Sequence, residues 1–483
     1  MSQLNRDIFH GTLWSVVGQF GTMIISLLSN IVLARILTPY EFGQVGVIMF
    51  FIILANVLTE SGLAGALVRK KEVTQDDYST VFVFNLWISL VCFLLLVVSS
   101  GYISDFYNDS SLQNILLVSS LILIVNAFQI TQNARLMRDL KFKEKSKYRF
   151  VAVCIGSIVG ILFAMLGMGV WALVIMQLTT ALFTTIILWR FEGMFFSLTF
   201  RRDSFKSLYS FGMNTTLASI LNTAFDNIYQ LILGRYFSIS QVGLFFQAKK
   251  LQEVPVGIIK STTLGVVFSS LSKIQDETEL LRKTYTKIVL LFTIVMGLLT
   301  SILYVYSESL ILLLYGKSWG EAAVYIQLLA IASFFYMQEM FNRVIFKVYD
   351  QTHKILYLEI VKKVIQSISI IVGVYYLDLT ILLNGFVITS ILSYLINLHY
   401  CRKIIKGIAL REMLITLKII LVSLTISGIS IYAKNTLGLT GINSIALLPI
   451  SVGLYLVLTQ IIGVADLKSE YKALFNLLKK QPI

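Results

Sequence analysis

Four prolines in 483 residues leave little to interrupt helices, because proline removes a backbone donor and clashes with the preceding turn. Cysteine is scarcer, with three. Cys92, Cys154 and Cys401 stand far apart, without metal or redox spacing, and read as small buried hydrophobes. Charged residues make up 14% of the chain, against about 25% in soluble domains. Alternation of period two is missing, which excludes an outer-membrane barrel. No A-x-A-like site follows the first apolar stretch, so a cleaved signal peptide is not expected.

What is abundant is apolar. Hydrophobic residues are 57% of the chain and mean hydropathy is +0.80. They fall in runs of about 20, the length that crosses a hydrocarbon core as a helix. Backbone polar groups in lipid must be satisfied within the chain, so these runs are expected to be helices. The pattern predicts an all-α polytopic membrane protein with about 14 spans, at 13–36, 42–66, 80–103, 112–134, 150–166, 170–189, 208–233, 242–270, 288–306, 322–342, 358–377, 379–400, 412–433 and 443–464.

Net charge is +14. A nucleic-acid partner would need a basic face on a soluble fold, whereas these basic residues sit in short segments between apolar runs. With the N-terminus inside, 32 of the 40 Lys and Arg lie in cytoplasmic segments, and four (Arg35, Arg235, Lys317, Lys434) at outer ends or loops. That bias places both termini in the cytoplasm.

An internal repeat relates LARILTPYEFGQVG (33–46) to LGRYFSISQVGLFF (233–246). At the offset of 200, Arg35 meets Arg235 and Gly43 meets Gly243. The copies start six spans apart and so share an orientation. A parallel repeat predicts two six-helix lobes, 1–200 and 201–405, with a substrate path between them, followed by two added helices and a tail over 406–483.

Polar residues inside the spans are the candidates for transport chemistry. Ser15, Gln19, Thr22, Ser26 and Ser29 share one face of the first span, and Thr215, Ser219, Asn222, Asp226 and Gln230 one face of the seventh. Such a stripe either bonds helix to helix or lines a polar cavity; its presence in both copies favours the cavity. In the eighth span, Lys249, Glu253 and Lys260 lie on one face, with Lys250 about 100° around the helix. These lysines either snorkel and pair with Glu253 or form a cationic wall for an anionic group. Glu60 stands at the repeat position of Lys260, so the two are a candidate gating pair. Glu339 and Arg343, spaced i and i+4, are expected to pair. Asp226, with no obvious local base, is a candidate cation-coupling carboxylate.

Other signals are weaker. Gly316-Lys317-Ser318 mimics the end of a P-loop, but no glycine stands five residues earlier and no strand precedes it. Gly156 and Gly160 form a GxxxG that reads as helix packing. The basic segment 135–149 reads as a topology signal with an attraction for anionic lipid.

Four local patterns resemble the polysaccharide-transporter (Wzx-type) flippases of the multidrug/oligosaccharidyl-lipid/polysaccharide superfamily. They are GTLWSVVGQFG…VLARILTPYEFGQVG (11–46), RLMRDLKFKEKSKYR (135–149), VGLFFQAKKLQEVPVGII (242–259) and YGKSWGEAA (315–323). Phe268-Ser269-Ser270 departs from the family, where many relatives have a proline. The resemblance implies export of undecaprenyl-diphosphate-linked oligosaccharide units by alternating access, coupled to a proton or sodium gradient, with no other cofactor. It implies membrane lipids, polysaccharide polymerase and glycosyltransferases as partners. Lys249 and Lys250 are then candidates for the diphosphate, and Arg35 and Arg235 for substrate binding. Ser15, Gln19, Thr22, Ser26, Asn222 and Gln230 are candidates for the sugar. Glu60, Lys260, Asp226, Glu253, Glu339 and Arg343 are candidates for gating or ion coupling. A drug/cation antiporter of the same superfamily would need a more acidic and aromatic pocket. A membrane polymerase would need a large outer domain, for which no connection here is long enough.

Overall fold

A computed structural model describes residues 3–60, 62–193, 197–262, 267–405 and 407–463. Among these, all the regular structure is helical. Contacts divide the chain into two compact units, Met1–Phe246 and Gln247–Ile483.

The first unit holds α1 (Gln3–Ile36), α2 (Pro39–Glu60), α3 (Leu63–Arg69), α4 (Gln75–Tyr107), α5 (Ser111–Arg138), α6 (Phe142–Met165), α7 (Val170–Glu192), α8 (Arg202–Tyr236) and the start of α9 (Ile239–Thr262). The second continues with α10 (Phe268–Ser272), α11 (Thr278–Val305), α12 (Ser307–Leu314), α13 (Ala322–Val348), α14 (Thr352–Tyr375), α15 (Leu379–Arg402), α16 (Ile408–Thr436) and α17 (Leu448–Ile461).

Over the described residues every expected span falls on helix, but 42–66 is broken and 443–464 starts in the 3-10 turn Gly441–Leu447 before α17. The span 42–66 ends as α2 at Glu60, and Gly62 takes a left-handed φ of 62° before α3. Glycine has no Cβ to oppose that conformation. Of the span 242–270, residues 242–262 lie in α9 and 268–270 in α10, and 263–266 lie outside the described residues. The expected outer connection 307–321 is itself partly helical: it contains α12 and a 3-10 turn, Lys317–Trp319, whose Trp319 is fully buried. The P-loop-like tripeptide lies in this turn.

Local chemistry explains several boundaries. Pro39 opens α2, where its missing N–H costs nothing. Thr74 and Asp77 form a reciprocal capping box that starts α4. Asn108 ends α4 in a left-handed conformation, with φ 53°.

Eleven described helices are long and apolar enough to cross a bilayer. The helices α8, α9 and α14 are comparably long but carry more polar and charged residues. The apolar helices are inverted relative to a soluble protein. On α16, Leu410, Leu414, Leu417, Leu421 and Leu424 are exposed, while Glu412, Thr416, Ser427 and Ser430 are buried. Hydrocarbon solvates leucine as well as the interior does, so polar groups move inward to find partners.

Within the first unit, α6 packs against α1 and α7, and α2 against α4, α5 and α8. The expected GxxxG works as packing: a Cβ on Gly156 would lie 2.0 Å from the Thr180 hydroxyl, and one on Gly160 2.6 Å from Met176 Cβ. The repeat also appears here as a contact. A Cβ on Gly43 would lie 1.8 Å from the Ile239 carbonyl oxygen, and one on Gly243 1.8 Å from that of Pro39. Pro39 and Ile239 are themselves related by the offset of 200, so the four residues form a reciprocal crossing of α2 with the start of α9. In the second unit, α13 packs against α11 and α15, α14 against α15, and α16 against α11 and α17.

Candidate functional site

The stripe on α1 is partly satisfied by its own backbone. The Thr22 hydroxyl donates to Gly18 and Gln19 carbonyls, each at 2.9 Å, and the Ser29 hydroxyl to the Ile25 carbonyl at 2.7 Å. These bonds allow a hydroxyl to sit in an apolar layer without another helix. Gln19 and Ser26 are exposed, and the Ser15 side chain lies outside the described residues. On α8, Asn222 and Asp226 are exposed, while Gln230 is buried with its side-chain oxygen unsatisfied among the described residues.

The repeat-related arginines are both exposed at helix ends. Arg35 is exposed at the end of α1. Arg235 donates to the Phe106 carbonyl at 2.5 Å and lies 4.6 Å over the Phe106 ring, tying α8 to the end of α4. Nearby, Asp109 gathers four donors: the Tyr40 hydroxyl at 2.7 Å, the Gln44 amide at 2.9 Å, the Ser111 hydroxyl at 2.6 Å and the Ser111 backbone N–H at 3.0 Å. Partial burial opposes the charge on Asp109, but these hydrogen bonds outweigh it and hold the carboxyl below its ordinary range.

Glu60 is exposed at the end of α2, with Lys145 of α6 as its charged neighbour. The Lys260 side chain lies outside the described residues. The basic segment 135–149 is largely helical, since α5 ends at Arg138 and α6 starts at Phe142. Arg138 has a structural task there. Its guanidinium donates to the carbonyls of Leu67 at 3.1 Å, Lys70 and Lys71 at 2.6 Å, clamping the end of α3.

On α9, Lys249 and Lys250 are both half-buried, and Lys249 Nζ lies 4.0 Å from Glu253 Oε1. That is a loose contact with an exposed partner. Gln252, from the same turn, donates to the Ser333 hydroxyl of α13.

The Glu339–Arg343 pair is present, and it belongs to a larger network. Arg343 also donates to Glu359 of α14, Lys362 Nζ lies 2.9 Å from Glu339 Oε2, and Lys363 Nζ lies 3.5 Å from Glu359 Oε1. The Glu339 side chain is 1% exposed. Lys362 also lies 4.9 Å over the Tyr336 ring. Among the expected spans, Lys362 and Lys363 fall within 358–377 and Arg343 directly follows 322–342. In the structure α13 runs to Val348 and α14 starts at Thr352, so all three are helical. Glu359 and Lys363, at i and i+4 beside apolar residues, were the available sequence signal. Glu412 of α16 was also missed: it stands at the edge of an expected span, yet it is buried.

Among the described residues no cluster of His, Cys, Asp and Glu is arranged to hold a metal ion.

A family described as "polysaccharide biosynthesis protein" matches residues 32–324. The succinoglycan biosynthesis transport protein ExoT of Rhizobium meliloti is 25% identical, over 66% of this chain and 65% of its own length. The lipopolysaccharide biosynthesis protein WzxC of Escherichia coli is 25% identical, over 68% and 67%. The match thus spans about two thirds of these relatives. Among solved structures, the lipid II flippase MurJ in an inward closed conformation superposes with TM-score 0.73 at 14% identity, covering 96% of this chain and 100% of its own. An inward-facing MATE-family multidrug transporter superposes with TM-score 0.59 at 18% identity, covering 80% and 95%.

Proposed function

The chain belongs to the polysaccharide biosynthesis protein family, and on that premise we propose that it is a flippase. It moves undecaprenyl-diphosphate-linked oligosaccharide units across the bacterial inner membrane by alternating access, for assembly of a surface polysaccharide. The observation that carries this reading is the family match on a chain whose fold, over nearly its whole length, is that of a lipid II flippase. Transport is named in the succinoglycan relative. The MATE likeness supports an antiporter less well, because it leaves about a fifth of the chain unmatched.

In this reading the polyprenyl tail stays in lipid while the diphosphate–sugar head group crosses. Lys249 and Lys250 attract the diphosphate as flexible point charges that can release it again. Gln19, Ser26, Asn222 and Gln230 offer donors and acceptors to sugar hydroxyls. Both termini face the cytoplasm, following the loop charge bias. The chain is a transporter, not an enzyme, and a proton or sodium gradient drives it.

Lipid extracts of cells lacking this protein test the reading. A polyprenyl-diphosphate oligosaccharide is expected to accumulate on the cytoplasmic side and to clear when a plasmid copy is supplied. No accumulation, in a strain shown to make the precursor, would overturn the flippase reading.

A further inference from the structure

Glu412 is 2% exposed, in the first turns of α16. Its two oxygens accept from neutral groups: Oε2 from the Tyr285 hydroxyl of α11 at 2.8 Å, and Oε1 from the Asn342 amide of α13 at 2.9 Å. The surrounding wall is apolar, with Leu281, Phe341, Ile345, Cys401 and Ile408 in the same buried cluster as Tyr285. An isolated carboxylate in such a place is strongly disfavoured unless a cation or a proton joins it.

The charges around it are engaged elsewhere. From α11, Arg282 pairs with Glu279 at 2.6 Å. From α13, Glu339 and Arg343 join the network with α14. From α15 the titratable neighbours are Tyr394 and Cys401. On α16 itself Arg411 and Lys418 are exposed, and neither α17 nor the 3-10 turn Gly441–Leu447 contains a charged residue. Among the described residues, no basic side chain is paired with Glu412.

Both protonation states are accommodated. As a carboxylate, Glu412 accepts from Tyr285 and Asn342. As an acid, it donates to Tyr285, whose hydroxyl rotates from donor to acceptor. The Asn342 amide also donates to the Gln338 carbonyl at 3.1 Å, and Gln338 pairs with the Thr293 hydroxyl at 2.9 Å. Glu412 thus bonds one side chain of α11 and one of α13, and α13 bonds α11 again through Gln338 and Thr293. Arg343, the next residue after Asn342, points into the ion network about 100° around the same helix.

We propose that Glu412 is a proton-binding site, and that loading it changes the hydrogen bonds by which α11 and α13 hold α16. The position thus couples a proton to the packing of three helices, one of which carries the charged network. The coupling half rests on the flippase reading; the proton site stands on the local geometry.

The test is an infrared pH titration of the purified full chain in lipid nanodiscs, for wild type, Glu412→Gln and Tyr285→Phe. A carboxylic-acid band is expected to disappear between about pH 5 and about pH 9, to be missing from Glu412→Gln, and to persist to higher pH in Tyr285→Phe. Absence of any wild-type band that Glu412→Gln removes would overturn the site, as would such a band that never titrates. Loss of the band on adding sodium at constant pH would assign sodium instead of the proton. If Glu412→Gln does not fold, an unchanged titration in Tyr285→Phe overturns the assignment. In reconstituted vesicles, wild-type translocation is expected to follow an imposed pH gradient, and Glu412→Gln to lose that response. A retained response overturns the coupling. No translocation by the wild type overturns the flippase reading and leaves the titration to judge the site.

Discussion

Glu339 and Glu253 show how much burial decides for one carboxylate. Glu339 is almost fully enclosed and contacts Arg343 and Lys362. Removing it takes the carboxylate from Lys362 and leaves Arg343 with Glu359 alone. Glu339→Ala is therefore expected to destabilise the protein by about 3–5 kcal/mol, read as a large fall in thermal midpoint in detergent. Glu253 meets Lys249 at 4.0 Å from an exposed position, so Glu253→Ala should cost about 0–1 kcal/mol. Asp109 gives a pH prediction. Its carboxyl is held low when folded, so its stabilisation is complete above the unfolded value of about 3.9. It is lost as pH falls through the folded value. Acid unfolding curves should show this limb, and Asp109→Asn should flatten it while lowering stability at neutral pH.

At the scale of elements, the crossing of α2 with the start of α9 depends on the absence of two Cβ atoms. Gly43→Ala or Gly243→Ala would drive a methyl into a carbonyl oxygen at 1.8 Å. Backbone cannot yield as a side chain can, so each is expected to cost at least about 1–3 kcal/mol. Gly428, in α16, has no atom within 4 Å of its Cβ position, and Gly428→Ala should stabilise by up to about 1 kcal/mol. Equal melting temperatures for the two kinds of variant would show that the crossing is not close-packed in the membrane. The offset of 200 was visible in the residues; that the matched glycines touch each other was not. Similarity reports descent from one unit, and says nothing about which surfaces of the copies meet.

For the whole molecule, the prediction concerns transport. Replacing Lys249 and Lys250 together by alanine is expected to cut translocation at least about tenfold, with the protein still in the membrane. Full activity in that double variant would remove both lysines from the substrate site. The expectations drawn from hydropathy hold best: the spans fall on helices over the described residues, and of the three less apolar long helices, α8, α9 and α14, α8 carries Asp226 and Arg235 and α9 carries Lys249, Lys250, Glu253 and Lys260. Loop boundaries fared worse. The expected span 322–342 stops short of Arg343, whereas α13 runs on to Val348, because charge in a mostly apolar chain looks like loop.

Hydropathy along the chain determined the class of this protein, because a residue's preference for lipid or water belongs to the residue and is read in sequence order. It determined the all-helical membrane fold, the positions of the spans and the repeat. Partnership was decided only by tertiary structure. Tyr285 and Glu412 are 127 residues apart, and Asn342 and Glu412 are 70 apart. Nothing in a local window tells a buried carboxylate beside neutral donors from one that ends a helix in water. That distinction depends on which helices close around it, and the packing of α11, α13 and α16 makes Glu412 a buried group with two neutral partners.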